Sequence, residues 1–379
     1  MSKEKRRVPK LRFPGFTEDW EQRKLGDVTN IKTGSRNQQD SVTNGQYPFF
    51  IRSEKIEKLD RYDFDTEAIL VPGDGRIGEI FHYYNGKFAL HQRVYKVDNF
   101  KGVDAFFLLY LFQCSFKEHA LRLNAQGTVP SLRLPMFTEW NICIPSLQEQ
   151  IGIGRLLNKI ELMITLHQRK LDNLKLKKKA LLQKLFPKNG EYYPELRFPG
   201  FTDAWEQCKL SDITEVIMGQ SPSSKNYTDN PNDDILVQGN ADLKDGKVVP
   251  RLWTKEITKT IDKGGIILTV RAPVGDVAKT DYKVVLGRGV AGIKGNDYIY
   301  QFLQKLQYNR YWVSLSSGST FESINSNDIK DLIIDIPSIE EQTKISMLLN
   351  NVNSIITLHQ RKLDHLQLQK KALLQQMFV

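Results

Sequence analysis

Residues 164–172 read Ile-Thr-Leu-His-Gln-Arg-Lys-Leu-Asp, and residues 356–364 repeat the same nine residues without a change. The two copies lie inside a longer match between residues 144–186 and 336–378, in which 27 of 43 positions are identical. Neither copy contains proline or glycine in its last thirty residues. Because those two residue types end or weaken helices, each copy predicts one long helix.

Apolar residues in both helices are spaced four, three, four, three, which is the 3.5-residue period of a coiled coil. His167 and Lys178 interrupt the period in the first copy, and their counterparts His359 and Lys370 interrupt it in the second. Polar residues at such positions cost stability and tend to fix register or partner. An amphipathic helix that only covers a globular core remains the alternative. The predicted seam residues are Ile160, Ile164, His167, Leu171, Leu174, Leu181, Val352, Ile356, His359, Leu363, Leu366 and Leu373.

A second pair of matching segments precedes the helices by more than a hundred residues. These lead-in segments, residues 11–29 and 196–214, agree at 14 of 19 positions and begin Leu-Arg-Phe-Pro-Gly-Phe-Thr. The chain is therefore an internal duplication, and its period near 190 residues is too long for a solenoid repeat. We predict a basic tail (1–10), a globular domain (11–143), a helix region (144–186), a linker (187–195), a second globular domain (196–335) and a second helix region (336–379).

The globular segments contain short runs of β-branched and aliphatic residues, such as residues 68–71, 94–97 and 266–270. Each segment later carries one apolar helical pattern, near residues 104–121 and 297–315. These patterns predict a mixed α/β fold of the α+β type in both globular domains. The order of the strands cannot be derived from them.

Composition limits the class of protein. The net charge of +10 favours a polyanionic partner. The 379 residues contain no apolar run of the roughly 20 residues that span a bilayer, so we expect no membrane association. The three cysteines are odd in number and far apart, which fits a reducing cytoplasm better than a disulfide framework.

Motifs for catalysis are missing from the sequence. No Gly-x-x-x-x-Gly-Lys-Ser/Thr phosphate loop occurs, and no two prolines are adjacent, which excludes the usual active-site loop of amino-methyltransferases. The six histidines form no metal-ligand spacing, so we predict no metal site. The glycine-rich residues 73–78 favour either a tight turn between strands or a turn that presents Arg76 to a nucleic acid.

In this layout the chain resembles the specificity subunit of type I restriction-modification systems. The resemblance covers about residues 11–378. It depends on the lead-in segments with Trp20 and Trp205, on the Ile-Pro-Ser…Glu-Gln starts of the helices, and on their common ending Lys-Lys-Ala-Leu-Leu-Gln. None of these motifs is decisive alone, but their order and duplication are strongly specific.

The resemblance implies two target-recognition domains, each of which reads one half of a split, asymmetric site in double-stranded DNA. It implies that two long antiparallel helices, related by a pseudo-two-fold duplication, separate these domains and help to dock two modification subunits. Those methyltransferase subunits would bind S-adenosylmethionine, and restriction subunits with motor and nuclease activity would join the complex. The chain itself is expected to be non-catalytic, to bind no cofactor and to work in the cytoplasm.

Residues that read bases need donors and acceptors that fit the major groove, chiefly on Arg, Lys, Asn and Gln side chains. Polar loops of this kind occur in both globular segments, and a phosphate contact or a plain surface position is the alternative for every residue. The predicted DNA-binding residues are Arg36, Asn37, Gln38, Arg52, Arg76, Gln92, Arg93, Thr128, Ser131, Arg133, Gln220, Ser224, Lys225, Gln238, Asn240, Arg271, Arg288, Thr320, Ser323 and Asn325.

Two other interpretations remain open at this point. One is a non-catalytic coiled-coil scaffold that joins two protein-binding domains. The other is a self-contained nuclease or methyltransferase, which the missing motifs disfavour. A binding assay with mixed duplex DNA, with and without a methyltransferase partner, separates the scaffold from the DNA-specificity subunit.

Overall fold

The structure, a computed structural model, divides the chain into two compact units. Unit 1 comprises Met1–Gln168 and Arg361–Val379, and unit 2 comprises Arg169–Gln360. Each unit therefore combines one globular segment with the beginning of its own long helix and the end of the other. The structure describes residues 7–124, 130–188, 190–271, 273–316 and 323–379.

Unit 1 contains a six-stranded mixed sheet, a two-stranded sheet and several short helices. Its strands are β1 (Glu21–Lys24), β2 (Asn30–Thr33), β3 (Tyr47–Phe50), β4 (Ile56–Leu59), β5 (Phe64–Pro72), β6 (His82–Leu90), β7 (Val94–Asp98) and β8 (Asn141–Ile144). Its helices are α1 (Leu25–Val28), α2 (Ala105–Leu111), α3 (Lys117–Leu123), α4 (Leu134–Thr138) and the first part of α5 (Leu147–Lys184). A π-helical turn, Phe112–Phe116, joins α2 to α3.

Strand β5 lies inside the main sheet of unit 1, whose strand order is β2-β7-β5-β6-β3-β4. Its residues Ala68–Val71 are fully buried, which explains why they form a continuous apolar run rather than an alternating one. Strands β3 and β6 pair in parallel, and the other pairs of this sheet are antiparallel. The lead-in strand β1 pairs with β8, so the two ends of the globular segment meet next to the start of α5.

Unit 2 uses the same frame with more and shorter strands. The strands are β9 (Glu206–Lys209), β10 (Val216–Met218), β11 (Tyr227–Thr228), β12 (Asp234–Val237), β13 (Leu243–Lys244), β14 (Lys247–Val248), β15 (Trp253–Thr254), β16 (Thr260–Ile261), β17 (Ile266–Thr269), β18 (Val277–Lys279), β19 (Val284–Leu286), β20 (Val290–Ile293) and β21 (Ile333–Ile336). The helices are α6 (Leu210–Ile213), α7 (Asp297–Tyr308), α8 (Tyr311–Ser316), α9 (Ser326–Lys330) and α10 (Ile339–Met377), which ends in unit 1.

The sheets of unit 2 match that of unit 1 strand by strand in their central part. The order β10-β20-β17-β18 corresponds to β2-β7-β5-β6, and the parallel pair of β12 with β19 corresponds to that of β3 with β6. The long strand β6 thus has two counterparts, β18 and β19. Both units are mixed α/β, as predicted from the sequence.

Glycine is required in both units directly after the first strand of the main sheet, at Gly34 after β2 and at Gly219 after β10. A Cβ atom on Gly34 would lie 2.0 Å from the carbonyl oxygen of Leu90, and one on Gly219 would lie 2.1 Å from that of Gly287. These distances are far below van der Waals contact, so the loop that follows β2 or β10 can approach the neighbouring turn only without a side chain. Gly34 and Gly219 also occupy matching places in the sequences of the two globular segments, and the close backbone approach explains that match.

The long helices are antiparallel in unit 1. In unit 1, Leu11 donates its N–H to Gln376 near the end of α10, while the adjacent Arg12 binds Glu149 in the first turn of α5. Further along, Lys370 pairs with Glu161 at 2.6 Å. The residue number therefore falls along α10 as it rises along α5.

The predicted seam residues are buried or half-buried, and their role as the seam of a helix pair stays a prediction. Ile160, Leu171, Leu363 and Leu366 are buried, and the remaining eight are half-buried. The two lysines that interrupt the seam, Lys178 in unit 2 and Lys370 in unit 1, have different hydrogen-bond partners. Lys178 is buried and donates to Gln304 at 2.8 Å, and burial lowers the pKa of Lys178 to about 8. Its counterpart Lys370 has a carboxylate partner instead.

Each lead-in segment is fixed to a helix start by a buried ion pair. The guanidinium of Arg12 donates to both oxygens of Glu149, at 2.7 and 2.9 Å, and Arg197 binds Glu341 in the same way at 2.8 and 2.9 Å. The two carboxylates are 0% and 1% exposed. Removing one partner of such a pair leaves a buried charge without compensation.

Replacing Arg12 with alanine is expected to destabilise the protein by about 3–5 kcal/mol, because Glu149 would then be buried alone. Thermal unfolding followed by circular dichroism measures the effect. Arg23→Ala is the matched control, since its pair with Glu21 is exposed and should leave the melting temperature unchanged. Equal melting temperatures for both variants would show that the buried pair does not stabilise unit 1.

None of the helices in the described ranges is long and apolar enough to cross a membrane.

Candidate nucleic-acid interface

The polar loops of unit 1 form one connected group. The backbone N–H of Gln92 donates to the carbonyl of Arg36, and the backbone N–H of Gly73 donates to the carbonyl of Arg93 at 2.7 Å. Asp74 then forms an isolated bridge with Ser131 and accepts from Arg52 at 3.3 Å. Loops that are far apart in the sequence therefore meet on one surface, which we call loop surface 1 (residues 34–40, 51–55, 73–79, 91–93 and 131–133).

Acidic side chains already bind three of the predicted arginines. Arg36 forms a two-nitrogen contact with Asp63, at 3.0 Å from Nε and 2.6 Å from Nη2, and this hydrogen bond raises the pKa of the guanidinium. Arg52 pairs with Asp74. Arg76 pairs with Glu54 and Glu79, and the hydrogen bond to Glu79 is the main cause of the raised pKa of Arg76. In this state Arg36 positions its loop rather than offering its donors to a ligand.

Other predicted residues of loop surface 1 are exposed. Gln92 donates from Nε2 to Oδ1 of Asn37 at 2.6 Å, so two amide side chains stand next to each other. Gln38 begins a short 3-10 helix, and Arg93 and Arg133 are exposed. Within the described part of the chain, no carboxylate lies at ion-pair distance from these two arginines.

Unit 2 builds a corresponding loop surface 2 (residues 219–226, 238–242, 270–276, 287–289 and 323–325). Gln220 donates its N–H to Leu286, and Arg288 donates its N–H to the hydroxyl of Ser221 at 3.1 Å. Arg271 forms an isolated bridge with Ser323. The bond from Gln220 to Leu286 repeats the one from the Arg36 N–H to the carbonyl of Leu90 in unit 1, whereas Arg288 binds a side-chain hydroxyl where Gln92 binds a carbonyl.

Two amide side chains of loop surface 2 are already hydrogen-bonded within unit 2. Gln238 donates to the hydroxyl of Tyr227, next to the 3-10 helix that contains Ser224 and Lys225. Asn240 donates to Asp276 at 2.5 Å. Arg271, Arg288 and Lys225 are exposed.

Residues 127–131 (Gly-Thr-Val-Pro-Ser) and 318–323 (Gly-Ser-Thr-Phe-Glu-Ser) are similar in sequence, and a short helix begins a few residues after each of them. Arg133 precedes α4 and Asn325 precedes α9. The side chain of Asn325 accepts from the N–H groups of Asn327 and Asp328, so it caps α9. Thr128 and Thr320 lie outside the described residues. DNA contact stays a prediction for all the named residues.

Sequence reasoning missed the acidic partners. Asp63, Asp74 and Asp276 bind predicted recognition residues, and Asp276 also accepts from Gln307 at 2.8 Å. No local pattern identifies Asp63, because it is 27 residues from Arg36 in the sequence. Asp74 could have been identified from the sequence, because it lies two residues before Arg76 in the glycine-rich residues 73–78.

Comparison with known proteins identifies the same two modules. The model of the type I restriction modification DNA specificity domain matches residues 17–176 and 202–368. A putative type I restriction enzyme MjaX specificity subunit from Methanocaldococcus jannaschii is 26% identical over 94% of this chain and 92% of its own length. The EcoDI specificity subunit of Escherichia coli is 27% identical, but over 55% of this chain and 46% of its own.

Solved structures agree in fold. The type I restriction-modification S subunit from M. genitalium superimposes with a TM-score of 0.75 at 15% identity and covers 98% of this chain and 99% of its own. A chain from a study of complex assembly and conformational transition of the type I restriction-modification system gives 0.56 at 21% identity, covering 98% and 99%. With two matched DNA specificity domains that together span most of its length, this chain belongs to the family of specificity subunits of type I restriction-modification systems.

Proposed function

We propose that loop surface 1 and loop surface 2 each read one half of a bipartite, asymmetric site in double-stranded DNA. The observation that carries the proposal is the repeated frame: both units bring polar loops together through equivalent backbone contacts, while the side chains on those loops differ. One scaffold with two different sets of exposed donors and acceptors is what reading two different sequences requires. The net charge of +10 adds the sequence-independent attraction to phosphates.

The two long helices would set the distance between the half-sites. Helices of 38 and 39 residues are about 57 Å long at roughly 1.5 Å per residue, which corresponds to about 17 base pairs of B-DNA. Their seam residues are buried or half-buried, so a partner would bind the outer faces. We propose that two modification subunits dock there and that restriction subunits complete the complex.

In this assignment the chain performs no catalysis. The methyltransferase chemistry, with S-adenosylmethionine as methyl donor, would belong to the modification subunits, and this chain would bind no cofactor of its own. It would act with its partners in the cytoplasm. The relative structure that was studied for complex assembly of a type I system supports a role inside a larger complex.

An exchange experiment tests the proposal. Replacing residues 30–139 with the matching segment of a relative keeps the pair of β1 with β8 and the start of α5. We expect one half-site of the methylated sequence to change and the other to remain, because only loop surface 1 is replaced. Sequencing the methylated adenines of cells that carry the chimera measures this.

The reciprocal exchange of residues 216–331 is the control, since it should change the other half-site only. If either exchange alters both half-sites together, the two units do not read separately. If both chimeras methylate the parental site, the loop surfaces do not determine the sequence.

A further inference from the structure

One turn in unit 1 connects strand β6, which ends at Leu90, to strand β7, which begins at Val94. His91 donates its N–H to the carbonyl of Phe50 at 3.0 Å, and Val94 donates to the carbonyl of His91 at 2.9 Å, which closes a four-residue turn. The carbonyl of Arg93 accepts from Gly73 at 2.7 Å. The turn is therefore bound on both sides and has little freedom to move.

The turn that precedes β20 in unit 2 has the same bonds. Gly287 donates to the carbonyl of Val237 at 2.8 Å, and Val290 donates to the carbonyl of Gly287 at 3.1 Å. The carbonyl of Gly289 accepts from Val270 at 2.9 Å. All three contacts repeat those of residues 91–94, so the two turns are structurally equivalent residue by residue.

This equivalence makes Gln92 in unit 1 the counterpart of Arg288 in unit 2, because each is the second residue of its turn. In each case the backbone N–H binds the loop after the first strand of the main sheet, at Arg36 in unit 1 and at Ser221 in unit 2. Both side chains are exposed and project from a fixed backbone. Gln92 touches Asn37, whereas Arg288 meets no carboxylate at ion-pair distance among the described residues.

The two side chains differ in the base edge that they fit. A glutamine amide offers one donor and one acceptor, which match N7 and N6 of adenine in the major groove. An arginine guanidinium offers two donors, which match O6 and N7 of guanine. A rigid turn that carries either group would therefore present it in the same position to two different bases.

We infer that the second residue of this turn is a base-reading position in both units, and that Gln92 reads an adenine in one half-site while Arg288 reads a guanine in the other. The inference rests on the proposed function and makes it more specific, because it assigns a base to one named side chain in each unit. Arg36, whose guanidinium is held by Asp63, is then a positioning residue that supports the turn through its carbonyl.

Exchange of the two side chains tests the inference. The wild-type chain, Gln92→Arg and Arg288→Gln are each assembled with the modification subunits and used to select duplexes from a randomised DNA library. We expect Gln92→Arg to change one A·T pair to G·C in one half-site only, and Arg288→Gln to make the opposite change in the other half-site. Against its original base each variant should lose roughly 5- to 150-fold in preference.

Gln22→Arg is the matched control, because Gln22 is an exposed glutamine on β1 and gains the same charge away from the turn. Circular dichroism of each variant verifies folding. If the wild-type complex selects a bipartite site and the turn variants select that same site, or only weaken binding to all sequences equally, the turn does not read bases. If the wild-type complex enriches no bipartite site, the proposed function fails and the inference fails with it.

Discussion

Replacing Phe378 with alanine should destabilise unit 1 by about 3–5 kcal/mol, although the residue is next to last in the chain. Phe378 is buried and packs against Trp20 and Phe107, with ring centroids 6.4 and 5.3 Å apart. Removal of the ring would leave a cavity in the core of the unit. Hydrogen–deuterium exchange should show lost protection in β5 and β7, and thermal unfolding should begin roughly 10 °C lower for a unit of this size.

Phe186 supplies a paired test, since it takes the same position in unit 2 against Trp205, Tyr298 and Phe302. Phe186→Ala should therefore lower protection in β17 and β20 instead. Val379→Ala is the neutral control, because that side chain is 52% exposed. A melting temperature for Phe378→Ala within 1 °C of that of Val379→Ala would contradict the assignment of the chain end to the core.

Lengthening both long helices by seven residues should lengthen the spacer of the recognised DNA site by two to four base pairs. Insertion of one heptad after Leu174 and after Leu366 preserves the 3.5-residue seam. It adds about 10 Å to each helix, or about three base pairs of B-DNA. Three base pairs also rotate one half-site relative to the other by about 100° around the DNA axis. Bending of the DNA or twisting of the pair of protein helices must absorb this rotation.

The half-site sequences should not change, because no loop of either loop surface is altered. Methylome sequencing of cells that carry the insertion measures both the spacer and the half-sites. A two-residue insertion at the same two places is the control: it rotates the following residues by about 200°, away from the seam, and should abolish methylation. Full methylation of a site with its original spacer would show that another part of the complex sets the distance.

Repetition and spacing are local properties of the chain, and they determined most of the architecture. The identical residues 164–172 and 356–364 predict two long helices whatever surrounds them, because the 3.5-residue period and the lack of helix breakers act within each segment. The lead-in segments and the order of the repeated motifs likewise predict two copies of one α/β module and its family. The structure confirms the mixed fold and the two helices.

Contacts between distant residues were decided only by the tertiary structure. Asp63 holds Arg36, Asn325 caps α9, and the buried Phe378 completes a core that begins at Trp20. A single sequence carries no local signal for such pairs, since each is made by strands and helices that approach one another only after folding. The sequence already aligns Gln92-Arg93-Val94 with Arg288-Gly289-Val290, but only the backbone hydrogen bonds of the folded sheets show that the two turns are held in the same way.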